Sequence, residues 1–256
     1  MTTCIGIQSK DSVHLCVDSR LTGMNYIGSE TTQKAFSVGK NYICFSGYAD
    51  VTHLVKRVLI QIQAGGFNSI DAFSALGIKE NSFEYHSLLY FLDLDRKQSR
   101  DFSEEALNFE GLSLFWKMLT LAVKHNTCVL GSESECSVDT YADCLIATPH
   151  GLFHITSDGS VAKGRLLGIG SGSRIAIGAV LGSLEQVGTE TNIEAFLTGA
   201  LDKYHDIPFL LSNAVRATSL LDPNTNANAK TYQIKLEAQL MPSLDQSLKE
   251  TNQSLL

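Results

Sequence analysis

Thr2, Asp18 and Lys34 stand at successive intervals of sixteen residues, and residues of these three types can together run a nucleophilic reaction. With Met1 removed, Thr2 carries a free α-amine beside its own hydroxyl. An α-amine has a reference pKa of about 7.7–8.0, so near neutrality it can take the hydroxyl's proton, and nucleophile and base occupy one residue. Such a residue needs a cation to favour the deprotonated hydroxyl and a carboxylate to hold that cation. Lys34 in TTQKAF and Asp18 in VDSR are of the required types. On spacing alone, an Asp after one strand and a Lys before another are more often turn and surface residues.

Other chemistries find less support. The seven histidines form no HExxH and none sits beside a candidate nucleophile in sequence. The six cysteines are scattered, without a CxxC pair or a companion His at zinc-finger spacing, and read as reduced, structural thiols. No metal and no cofactor is expected. GIGSGS has the glycines of a phosphate cradle but lacks the full GxGxxG spacing and a surrounding βαβ unit, so a tight turn is the better reading. A net charge of -7 without clustered Lys and Arg excludes a phosphate-backbone partner, so nucleic acid is not expected. With no apolar secretory leader and no run of about 18 apolar residues, the expected location is cytoplasmic, away from membranes.

The elements that must position these residues follow from periodicity. TTCIGIQ, SVHLCVDS, AFSV and NYICFSG alternate as short antiparallel strands. A first hairpin turning near Lys10 would return Asp18 to the level of Thr2 at one sheet edge, with Lys34 entering from the next strand. Thr3 then reads as an ordinary β-former. Helical spacing follows over Val51 to Ile62, over SFEYHSLLYFLDL, and from a capped start at Ser103 through LSLFWKMLTLAV. DCLIATPHGLFHITSDGSV returns to two or three strands. Helices are expected over Ser173 to about Gln186, Asn192 to Tyr204 and Pro208 to Leu221, before a last strand at TYQIKLEAQL and a polar tail over about 241–256. One domain spanning 1–256, of class α+β, a four-layer αββα sandwich of two antiparallel sheets between helix layers, accommodates this order.

The runs TTCIGIQSKDSVHLCVDSR, TTQKAF and FSGYAD resemble the opening of the proteasome β-subunit family, including the bacterial subunit HslV. That family consists of N-terminal-nucleophile (Ntn) hydrolases that cut peptide bonds with a processed threonine. The resemblance puts Thr2, Asp18 and Lys34 in the family's register without a gap. It resumes in DCLIATPHGLFHITSDGSV and GRLLGIGSGSRIAIGAVL, and implies that Ser171 reaches the nucleophile from the turn. AVRATSLLDPNT is similar to the closing helix and implies that Asp222 and Thr225 orient the Thr2 amine. By the same resemblance the Gly47 N–H serves the oxyanion, and Leu21, Thr32, Phe45, Ala49 and His53 line the substrate pocket. Residues about 65–140 have no counterpart, and TNIEAFLTGALDKYHDIP adds a helix. The single residue ahead of Thr2 resembles HslV.

The implied function is a threonine-type endopeptidase acting on protein or peptide substrates, one subunit of a self-compartmentalised homo-oligomeric ring that an ATP-dependent unfoldase could feed. The alternatives are a non-catalytic ring or shell subunit and an Ntn amidase acting on small amides.

Overall fold

The computed structural model describes residues 3–22, 27–47, 73, 76–93, 102–129, 143–184 and 193–237. β1 (Cys4–Gln8) and β2 (Ser12–Val17) form the central hairpin of a four-stranded antiparallel sheet. β10 (Leu166–Ile169) lies outside β1, and β11 (Lys230–Lys235) outside β2. The second antiparallel sheet follows chain order: β5 (Ala35–Val38), β6 (Asn41–Ser46), β7 (Asp143–Thr148), β8 (Gly151–Ile155) and β9 (Val161–Lys163). β3 (Leu21–Thr22) and β4 (Ile27–Ser29) pair with each other and, among the described residues, with neither sheet.

Strand side chains alternate between faces, so a strand buried on both sides must feed two cores. These do. Cys4, Val13, Leu15, Val17, Cys44, Leu145, Ala147 and Leu152 meet in the cluster between the two sheets. Their neighbours point outward: Ile5, Ile7 and Cys16 into a cluster with three late helices, and Ile43, Phe45, Cys144, Ile146, Phe153 and Ile155 into another with two middle helices. Fully burying one such side chain contributes about 1.5–3 kcal/mol. The result is the expected four-layer αββα sandwich.

The outer layers start at legible caps. α1 (Phe83–Phe91) begins where the Tyr85 N–H donates to Ser82 Oγ at 3.2 Å. At the start of α2 (Glu104–Val129), the Ala106 N–H donates to Ser103 Oγ at 3.1 Å. These two helices cover the five-stranded sheet. α3 (Ser173–Leu184), α4 (Ile193–Lys203) and α5 (Ile207–Ser219) cover the other sheet, α5 entering through Asp206, whose Oδ1 accepts the Phe209 N–H at 2.9 Å. The expected helix over Val51 to Ile62 and the tail over 241–256 lie outside the described residues.

α1 and α2 touch so closely that residue 111 must lack a side chain. A Cβ at Gly111 would lie 2.5 Å from the Ser87 carbonyl oxygen and 2.7 Å from Phe91 Cβ. In an open helix Gly→Ala stabilises by about 1 kcal/mol. Here overpacking reverses the sign, and Gly111→Ala is expected to destabilise by about 1–3 kcal/mol in a urea titration. A variant at least as stable as wild type would contradict this packing.

Candidate active site

The first hairpin decides which side chains meet at the sandwich's open edge. Cys4 pairs with Val17 and Gln8 with Val13, a register centred between Lys10 and Asp11. Continued by one pair, it sets Thr3 opposite Asp18, and the Asp18 N–H donates to the Thr3 carbonyl at 3.1 Å. Asp18 is therefore level with Thr3, one residue beyond the expected level, because the turn centre lies half a residue later than Lys10.

Asp18 and Lys34 are 0% and 2% exposed, burial that an ionic side chain tolerates when it is paired. Lys34 Nζ donates to Asp18 Oδ1 at 2.8 Å. The same oxygen accepts the Thr3 N–H at 2.8 Å, and Oδ2 accepts the Arg20 N–H at 3.0 Å. The expected cation and its carboxylate are thus together, in the interior and in hydrogen-bond contact. Thr3 is more than a β-former: it is fully buried, precedes β1, and links two polar groups.

The second group centres on Asp222, just past α5. Asp222 Oδ2 accepts from Ser171 Oγ at 2.7 Å and from Thr225 Oγ1 at 2.9 Å. Oδ1 accepts from the Asn224 backbone N–H at 3.0 Å and its Nδ2 at 3.1 Å. Burial alone would raise the Asp222 pKa, but the Ser171, Asn224 and Thr225 hydrogen bonds outweigh it and hold the carboxyl below its ordinary value. Thr225 and Thr3 hydroxyl oxygens lie 2.5 Å apart. A hydroxyl has one proton to give, and Thr225 gives its own to Asp222, so Thr3 donates to Thr225. Ser171 likewise spends its proton on Asp222, which leaves its oxygen an acceptor only.

The turn that presents Ser171 needs its glycines. Gly170 has φ 91°, open to glycine at no steric cost. A Cβ at Gly172 would collide with Thr3 Oγ1 and Thr218 Cγ2. GIGSGS is therefore a tight turn between β10 and α3, as expected.

The remaining expected positions are less gathered. Gly47 is half-buried at the end of β6. Leu21 lies in β3, and the Thr32 N–H donates to the Ser19 carbonyl at 2.8 Å. Phe45, 1% exposed, is part of the core under α1 and α2. Thr2, Ala49 and His53 lie outside the described residues. Sequence reasoning missed Thr3, Gly172, Glu30 and Asn226, whose partners are up to 222 residues away in sequence.

Elsewhere, Cys4, Cys16, Cys44 and Cys144 are buried and free. Burial pushes the Cys16 thiol up to about 12 and also raises those of Cys4 and Cys144, which suits inert core groups. Glu104, His150 and Glu237 bring ligand-type atoms within 4.8 Å of one another. Lys40 Nζ already pairs with Glu237 at 3.2 Å, and the Tyr90 hydroxyl oxygen lies 2.8 Å from His150 Nε2. Among the described residues, no helix is long and apolar enough to cross a membrane.

Residues 1–75 match the family described as proteasome subunit. BPH from Thiobacillus denitrificans shares the fold at TM-score 0.55 and 16% identity, covering 93% of this chain and 100% of that one. Its complex with epoxomicin aligns at TM-score 0.54 and 15% identity, over 92% and 99% of the two chains. Eukaryotic HslV from Trypanosoma brucei aligns at TM-score 0.50 and 11% identity, over 91% and 99%. No curated protein matches at a significant level. The resemblance and the fold read from the sequence are both borne out.

Asp222 sets a pH dependence. Its folded-state pKa is depressed, so its contribution to stability is present above the unfolded value of about 3.9 and is lost as pH falls through the folded value. The urea-midpoint gap between wild type and Asp222→Asn is expected to be full at about pH 6 and to narrow below about pH 4. A gap independent of pH would show that the carboxylate's hydrogen bonds do not favour its charged form.

Proposed function

On a fold of the proteasome and HslV type, we propose that this chain is a threonine-type endopeptidase subunit whose nucleophile is Thr2. One observation carries the reading: the Thr3 backbone N–H shares Asp18 Oδ1 with the Lys34 ammonium, each at 2.8 Å. That nitrogen is covalently joined to the Thr2 carbonyl, so residue 2 is one peptide link from a group bound to the carboxylate that holds the cation. Thr3 itself is 0% exposed with its hydroxyl committed to Thr225, and cannot present that hydroxyl to a substrate.

Removal of Met1 frees the Thr2 amine. The amine, directly or through a water, takes the proton of the Thr2 hydroxyl, whose oxygen attacks the peptide carbonyl. Lys34, held by Asp18, favours the developing negative oxygen. The Gly47 N–H donates to the oxyanion. Ser171 Oγ, an acceptor once its proton goes to Asp222, receives a hydrogen bond from the amine, and Asp222 with Thr225 holds it in place. The tetrahedral intermediate collapses as the peptide C–N bond breaks, the protonated Thr2 amine giving its proton to the leaving amine. Water then hydrolyses the acyl ester and restores the Thr2 hydroxyl. Leu21, Thr32, Ala49 and His53 are the substrate-side positions in this reading, Phe45 being closed off in the core under α1 and α2. Substrates are proteins or peptides, reached inside a homo-oligomeric ring that an ATP-dependent unfoldase could serve.

Intact-mass measurement of the purified protein is expected to show loss of Met1. Because epoxomicin is bound in the BPH complex, an epoxyketone is expected to form an adduct through both the amine and the hydroxyl of Thr2. Thr2→Ala should abolish peptide hydrolysis and adduct formation while leaving assembly by light scattering unchanged. Retained Met1, or full activity in Thr2→Ala, would overturn the reading and favour a non-catalytic subunit or another nucleophile.

Lys34→Ala should lower kcat by about 100-fold or more, the scale of losing one preorganised electrostatic group. It should also cost about 3–5 kcal/mol of stability, because Asp18 is left buried and unpaired. Kinetics below the variant's melting range separate the two effects. Wild-type turnover in Lys34→Ala would remove the cation from the mechanism.

A further inference from the structure

Among the described residues the β3–β4 ribbon pairs with neither main sheet, and the residues at its two ends attach it to the body. Those ends are tied to each other: Ser19 Oγ donates to the Glu30 carbonyl at 2.5 Å, and the Thr32 N–H donates to the Ser19 carbonyl at 2.8 Å. The tied base is then joined to the turn after α5 by one side chain. Asn226 Oδ1 accepts the Ser19 N–H at 3.1 Å, while its Nδ2 donates to the Glu30 carbonyl at 3.0 Å and to Glu30 Oε2 at 2.7 Å. Arg20 completes the join, with Nε donating to Glu30 Oε1 at 3.1 Å and Nη1 to the Pro223 carbonyl at 2.6 Å.

The site calls for a carboxamide. It must accept from a backbone N–H and donate to a carbonyl and a carboxylate from one short side chain, which Asn does and neither Asp nor Ser can. Asn226 is 5% exposed, so its partners are not interchangeable with bulk water. Hydrogen bonding from Asn226, and then from Arg20, holds the Glu30 carboxyl below its ordinary pKa. Asn226 immediately follows Thr225, and Ser19 immediately follows Asp18. The join therefore fixes the ribbon to both polar groups of the candidate site at once.

We propose that Asn226 and Glu30 are positioning residues that clamp the β3–β4 ribbon against the Asp222–Thr225 turn and so set the substrate-facing wall carrying Leu21 and Thr32. The wall's role rests on the peptidase reading above; the clamp itself rests on the contacts. Substrate meets the wall before any bond changes, so loosening it weakens binding more than chemistry.

The test uses the full chain, with Asn226→Ala, Glu30→Ala and their double variant, read by peptide-hydrolysis kinetics and by amide hydrogen exchange. Both single variants are expected to raise KM about fivefold or more with kcat within about twofold, and the double variant to fall short of the product of the two singles, since the Asn226–Glu30 carboxylate contact is lost in both. The Ser19 and Thr32 amides should exchange about tenfold faster or more, the scale of losing one buried hydrogen bond. Asn226→Asp, which faces a carboxylate with a carboxylate, should be poor alone and regain about half of its lost KM when combined with Glu30→Gln, which supplies the missing donor. Wild-type protein that hydrolyses no peptide overturns the peptidase reading, and the exchange rates then decide the clamp alone. Active wild type with KM and exchange both unmoved in Asn226→Ala overturns the clamp. Faster exchange with unmoved KM, or a loss confined to kcat, overturns the wall.

Discussion

The site depends on one buried ion pair, Asp18 with Lys34. Such a pair is a poor way to stabilise a fold, because taking two charges out of water costs as much as their attraction returns, and apolar residues of equal volume do as well. Its effect is instead to organise. The Asp18 carboxylate accepts from three donors, the Lys34 ammonium and the Thr3 and Arg20 N–H groups, while Asp18's own N–H donates to the Thr3 carbonyl. Asp18 follows β2 of one sheet, and Lys34 precedes β5 of the other. The pair therefore pins the two sheets together at the end of the sandwich, where the apolar cluster between them runs out.

The rest of the architecture can be understood as supplying that end with groups from separate layers. The four-stranded sheet brings Thr3 and Asp18, the five-stranded sheet brings Lys34, and the outer helix layer brings Asp222 and Thr225 from the end of α5. Ser171 arrives on the turn between β10 and α3. Packing in the outer layer thereby becomes a condition for the arrangement of polar groups in the inner one. Gly172 is the tightest point of that dependence, since a methyl group there would meet Thr3 from one side and Thr218 of α5 from the other.

Period-2 alternation in the strands and capping at Ser103 were legible because both are local: each is a statement about residues within one turn or one pleat. The register was nearly legible. Centring the first turn on Lys10 puts Asp18 opposite Thr2, whereas the observed pairing of Gln8 with Val13 centres it between Lys10 and Asp11 and puts Asp18 opposite Thr3. Half a residue in a turn is one residue in a ladder. β10 was harder, since it joins the first sheet beside β1 from about 160 residues away, and nothing in LLGI names its partner. The Thr3–Thr225 and Ser19–Asn226 contacts were invisible for the same reason. Their residue types are common in loops, and only the fold makes neighbours of them. Thr2, Asp18 and Lys34 were named from the sequence because residue types and a family register converged on them; the structure brings Asp18 and Lys34 together.

The two carboxylates share an edge of the molecule but are held by different kinds of partner, and that difference separates their tasks. Asp18 is met by a full positive charge, so the pair is neutral as a unit. Asp222 is met by hydroxyls and an amide, which are neutral, so its negative charge is spread along donors without being cancelled. Each hydroxyl in that chain points its proton toward Asp222: Thr3 to Thr225, Thr225 to the carboxylate, and Ser171 to the carboxylate from the other side. Oxygens so polarised are better acceptors than isolated hydroxyls. A cationic or proton-bearing group at the open side of Ser171 is therefore favoured, while an oxygen that must shed a proton is favoured beside Lys34. On the peptidase reading proposed above, an amine and a hydroxyl carried on adjacent carbons of one residue meet the two demands together.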